Sequence, residues 1–180
     1  MNESRKIAEA EHFLHQMKEQ ESDYEAFVFN LSAFLSASRS VLQYVFEEAK
    51  NKPGGQSWYA SRIASSAILR FFKEKRDFNI HVAPISLSQT ILLTDQDTFS
   101  SSNLSRLIRA DQDGNIIEEI PDQKDEHYSP PSASTISVKF LYTFPDWPGH
   151  ENVWILANTY LNEVKSLVQF GIANGYLSAP

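Results

Sequence analysis

The hydrophobic period changes twice along this chain, from helical to two-residue and back. That switch confines the fold to helices flanking a strand-rich insertion. Ile7, Ala10, Phe13, Leu14 and Met17 mark one apolar helical face, with Ser4 a candidate cap and Glu3 and Glu9 near the positive end. Glu21-Ser22-Asp23 interrupts it, and Ser22 or Asp23 is suited to cap a second helix from about residue 24 to 50. Phe27, Leu31, Phe34, Leu35, Leu42, Val45 and Phe46 give that helix a wide apolar stripe, which Pro53-Gly54-Gly55 ends. A third helix is expected from about 57 to 80, carrying Trp58, Ile63, Ala67, Phe71, Phe72 and Phe78, with Pro84 closing the segment.

Alternation then takes over. Ile85, Leu87, Ile91 and Leu93 stand at every second position apart from one skipped step, and Ile136, Val138, Phe140, Tyr142 and Phe144 do so without a break. Between them, 104–110 and 115–120 flank Asp111-Gln112-Asp113-Gly114, whose Asp-Gly pair is a hairpin signal. The stretch 122–134 is charged and then Pro/Ser-rich, an expected exposed loop. From about Glu151 the helical face returns through Val153, Leu156, Tyr160, Leu161, Val164, Leu167 and Val168, with Gly175 near its end. The expected fold class is mainly α. One domain is expected, with 1–83 and 150–175 as a four-helix bundle and 84–146 as a small antiparallel β insertion before the last helix.

Composition narrows the function. The absence of cysteine among 180 residues excludes a disulfide scaffold, Cys-ligated zinc, iron–sulfur clusters and thiol catalysis. A net charge of −7 argues against a broad polyanion-coating surface but allows a local basic pocket. No apolar run reaches the roughly 18 residues of a membrane span, and the polar start MNESRKIAEAEHFLHQ has no signal-peptide core, so a cytoplasmic protein without membrane association is expected.

Phosphate-loop, dinucleotide, HExxH and nucleophile-elbow motifs are all missing. Asp111-Gln-Asp113-Gly114 partly matches a calcium loop, but its glycine is at the fourth position instead of the sixth, so the hairpin is the better reading. Asp122, Asp125, Glu126 and His127 lack ligand spacing, so no metal and no cofactor are expected. Arg76-Asp77-Phe-Asn-Ile-His81 stands out at the end of the third helix. Histidine moves protons near neutral pH and arginine forks onto phosphate oxygens, a pairing suited to phosphodiester chemistry. On an ideal helix the two would be splayed by about 140° unless the last turn bends or His81 leaves the helix. A purely structural role is also available, with His81 at the negative dipole end and the stem of Arg76 along Phe72. Arg39 interrupts the apolar stripe of the second helix and needs either an acid, such as Glu47, or a polar cleft.

Together, Leu31-Ser-Ala-Phe-Leu-Ser-Ala-Ser-Arg39-Ser-Val-Leu, Trp58-Tyr59, Phe71-Phe72 and Arg76-Asp-Phe-Asn-Ile-His81 resemble the HEPN superfamily. These are helical bundles whose hallmark is Arg, four to six residues, then His, often with Asn, Asp or His after the Arg. The resemblance covers the second and third helices and extends to the last; 84–146 has no family parallel. It implies a homodimer with the Arg–His pairs of both chains in one cleft, cleaving RNA without metal. His81 would be the proton carrier, Arg76 the phosphate stabiliser and Asp77 an orienting group, with Arg39 adding positive potential for substrate binding. The implied class is a toxin or phage-defence endoribonuclease with a possible antitoxin or other protein partner. The alternative is a non-catalytic HEPN-like module binding a nucleotide or protein, with the β insertion as its recognition element.

Overall fold

The computed structural model describes residues 2–81, 83–96, 105–110, 116–120 and 135–178. Five helices and four strands follow in the order α1 Asn2–Glu19, α2 Tyr24–Ala49, α3 Gly55–Ser65, α4 Ala67–His81, β1 Ser88–Gln96, β2 Ser105–Ala110, β3 Ile116–Ile120, β4 Thr135–Thr143 and α5 Val153–Ala173. They fall into two compact units: residues 1–85 with 154–180, and residues 86–153.

In the helical unit, α1 begins at Asn2, so Ser4 lies inside its first turn instead of capping it. Asp23 does cap α2: its backbone is extended and its Oδ1 accepts from the Ala26 N–H at 3.0 Å. The α2 stripe forms the spine of the core, with Phe27, Leu31, Phe34, Leu35, Val41, Leu42 and Val45 all buried. Its end is set by two glycines with different duties. Gly54 takes a left-handed φ of 74°, which a side chain would strain, while a Cβ at Gly55 would stand 2.0 Å from the Ala49 carbonyl oxygen.

The expected third helix is two helices. Ser66 is extended (φ −104°, ψ 118°), ends α3 and starts α4, and its Oγ accepts from the Leu69 N–H at 3.1 Å. Its hydroxyl donates to Glu163 of α5. A serine that satisfies a free N–H of the next helix and bonds to a neighbouring helix gains more from breaking the helix than from continuing it. The helical unit therefore holds five helices where sequence periodicity indicates four.

Phe34, Phe72 and Tyr160 bring α2, α4 and α5 together. Phe72 stacks on Tyr160 at 4.5 Å, and Phe34 meets both edge-on at 6.4 and 6.0 Å. Trp58 of α3 stacks on Tyr176 and Phe170, fastening the C-terminal turn. The α1–α5 contact is held by the Trp154 indole N–H donating to the Leu14 carbonyl and by a Lys165–Glu11 ion pair at 2.6 Å.

The second unit is an antiparallel sheet of order β3-β2-β1-β4. Ile91 pairs with Ile108 on one side and Phe140 on the other, and a register shift at Arg109/Ala110 precedes the β2–β3 connection. The alternation of β4 is partial: Val138 is exposed, whereas Tyr142 is buried with its hydroxyl accepting from Gln89. The segment 83–87 precedes β1 without regular structure, so Ile85 and Leu87 are buried but not strand residues. The Asp111–Gly114 turn and the 122–134 loop, with Asp122, Asp125, Glu126 and His127, lie outside the described residues. Among the described residues no helix is long and apolar enough to cross a membrane.

Candidate functional site

The inner stripe of α4, Leu69 and Phe72, continues one turn on to Arg76 and then Asn79. Asn79 donates from Nδ2 to Ser32 Oγ at 2.7 Å, which fixes the last turn of α4 against α2. Arg76 thus sits half-buried where an apolar residue would continue the core. Its Nη1 pairs with Asp77 Oδ1 at 3.1 Å, and its Nε is buried with no hydrogen-bond partner. Asp77 is next in sequence, so this pair costs little ordering, and it leaves the buried Nε unpaired.

His81 is the last residue of α4 and is exposed. Because the helix runs regularly through it, His81 points about 140° away from Arg76. The fold joins Arg76 to Asp77 and leaves His81 open to solvent on another side of the same helix.

Arg39 leaves α2 on the flank that packs against α3, the flank on which the Phe46 ring meets Tyr59 at 5.2 Å. Its partner is not Glu47, which accepts from Lys50 and Gln43. The guanidinium instead exerts its charge on the Tyr59 and Tyr160 phenols. Burial pushes the Tyr59 phenol above its usual range, outweighing the opposing pull of Arg39, and raises the fully buried Tyr160 phenol further. Tyr59 and Tyr160 carry no sequence signal for this role: they stand 20 and 121 residues beyond Arg39, and Tyr160 reads as part of an apolar helical face. Helix packing alone brings them to the cation.

A cavity of about 220 Å³ lies between α3, α4 and α5, lined by Arg62, Ser65, Ser66, Glu163 and Ser166 among others. Its cation is partly occupied, since the Arg62 guanidinium lies 4.4 Å from the Phe170 ring centroid. Its carboxylate is held by Ser66. Among the described residues there is no cluster of three or more His, Asp or Glu side chains placed to hold a metal. No protein-family model, curated protein or solved structure matches this chain.

Proposed function

We propose that this protein is a HEPN-like, metal-independent endoribonuclease of the toxin or phage-defence kind, working in the cytoplasm as a homodimer. In this reading α3 and α4 count as one broken arm, so that the helical unit has the four arms of a HEPN bundle. The observation that carries it is the exposure of His81 just beyond Arg76 and Asp77. A histidine sealed by its own chain could not reach a substrate. This one faces solvent, on the same helix as the half-buried Arg76.

One chain splays the two side chains, so a working site needs a second copy, with Arg76 of one chain facing His81 of the other. His81 would take the proton of the ribose 2′-OH as that oxygen bonds to phosphorus, and the bond from phosphorus to the 5′ oxygen would break. The leaving 5′ oxygen would be protonated in turn. The products are a 2′,3′-cyclic phosphate and a 5′-hydroxyl. Arg76 would stabilise the charge on the phosphoryl oxygens and Asp77 would hold the guanidinium in place. Arg39 would bind substrate.

The net charge of −7 and the neutralisation of Arg76 by Asp77 favour a second reading, a non-catalytic module for a nucleotide or a partner protein such as an antitoxin. Incubating a structured RNA with the purified protein in excess EDTA separates the two. Cleavage by wild type, lost in His81→Ala and leaving cyclic phosphate ends, is the expected result. RNA binding without cleavage would leave the binding module.

A further inference from the structure

Arg62 and Glu163 line the same cavity between α3, α4 and α5 and carry opposite charges, yet they do not pair with each other. Each is held by something else. The Arg62 guanidinium lies over the Phe170 ring, Phe170 stacks on Trp58, and Trp58 stacks on Tyr176. Stacking engages the face of a guanidinium and leaves the N–H groups along its edge free. The Glu163 carboxylate accepts from the Ser66 hydroxyl, and one such bond leaves most of its lone pairs open. Among the described residues Arg62 meets no carboxylate and Glu163 meets no cation. The Ser166 hydroxyl, three residues on from Glu163 and so on the same face of α5, is likewise without a partner among the described residues. Leu69 and Leu167, both buried, supply the apolar part of the lining.

Opposite charges anchored separately on one cavity, with a spare hydroxyl and an apolar wall, match one ligand chemistry. The cavity's 220 Å³ equals the volume of about seven waters, the size of a small metabolite. A lone carboxylate would satisfy Arg62 but face Glu163, and a lone ammonium would satisfy Glu163 but face Arg62. A molecule carrying both groups satisfies both. We infer that this cavity binds a small zwitterion, an amino acid with a short side chain. Its carboxylate lies on the edge of Arg62, its ammonium on Glu163 and its aliphatic part against Leu69 and Leu167. The site goes beyond the ribonuclease reading and shares no residue with it: Ser66 precedes Arg76 by ten residues, about 15 Å along α4.

The test is calorimetric titration of the full chain with glycine, L-alanine and L-serine, beside propionate and ethylammonium, which carry the two charges one at a time. Wild type is expected to bind at least one of the amino acids at millimolar concentration or tighter, and that ligand should raise its melting temperature. Propionate and ethylammonium should each bind about tenfold more weakly or not at all. Arg62 is exposed, and Glu163→Gln keeps an acceptor for Ser66, so both Arg62→Met and Glu163→Gln should fold. Each should weaken the amino acid about tenfold or more, while Glu163→Gln should leave propionate no weaker than before. No binding of any of the three amino acids, or an affinity unchanged in either variant, overturns the site. If a variant does not fold, the single-charge ligands decide: propionate or ethylammonium binding as tightly as the amino acid overturns the inference.

Discussion

Single residues decide more here than the apolar pattern does. Gly55 is the clearest case, because any side chain there runs into the backbone of Ala49, which a flexible neighbour cannot relieve. Gly55→Ala is expected to cost about 1–3 kcal/mol in a urea unfolding curve, against about 1–2 kcal/mol for Gly54→Ala, where the space is open and only the left-handed backbone resists. The tyrosines beside Arg39 give a pH signature. Their folded-state ionisation lies above the ordinary value of 10, so their contribution to stability is fully present below pH 10 and fades as the pH rises through the folded values. Urea midpoints taken from neutral to strongly alkaline pH should fall above pH 10, and Tyr160→Phe should shrink that fall. An alkaline decline of the same size in Tyr160→Phe would show that its phenol is not the group responsible.

At the scale of elements, residue pattern and structure part company in one instructive place. The stripes of α1, α2 and α5 were legible because their apolar residues repeat at helical spacing, and Asp23 is a cap whose residue type reports its role. The break between α3 and α4 was not legible. The apolar spacing runs through Ser66, and the bond from Ser66 to Glu163 spans 97 residues. Ser66→Ala removes both the cap and that bond, so it should cost about 1–2 kcal/mol. Ser66→Asp should keep the cap but set a second carboxylate against Glu163, recovering little of the loss. A midpoint unchanged in Ser66→Ala would mean that the break is held by packing around Leu69 and Phe72 alone. The aromatic contact of Phe34, Phe72 and Tyr160 predicts a larger effect: Phe72→Ala should cost about 3–5 kcal/mol, since Phe72 is fully enclosed between α2 and α5.

At the scale of the whole molecule, the candidate site was legible in part. Arg76 and Asp77 are adjacent, so their pairing is written in the chain, whereas the open side of His81 follows from where the helix stops. That Arg39 acts on Tyr59 while Glu47 is taken by Lys50 depends on how α3 packs on α2, and spacing along one helix holds no record of that. The sheet shows the same limit: β1–β2 and β2–β3 pair strands adjacent in sequence, whereas the β1–β4 pairing joins strands far apart in the chain, and the sheet's chemistry has no signature in the residues described.

The central claim is that Arg76 and His81, splayed on one helix, act together across two copies of the chain to cleave RNA. Subunit mixing tests it most directly. Arg76→Ala and His81→Ala would each be assayed alone on a structured RNA in EDTA, then mixed, exchanged and assayed again beside wild type. The account predicts cleavage by wild type, none by either variant alone, and recovered cleavage in the mixture, where one intact Arg76 meets one intact His81. A mixture as silent as its components, or a wild type that leaves the RNA whole, would contradict it.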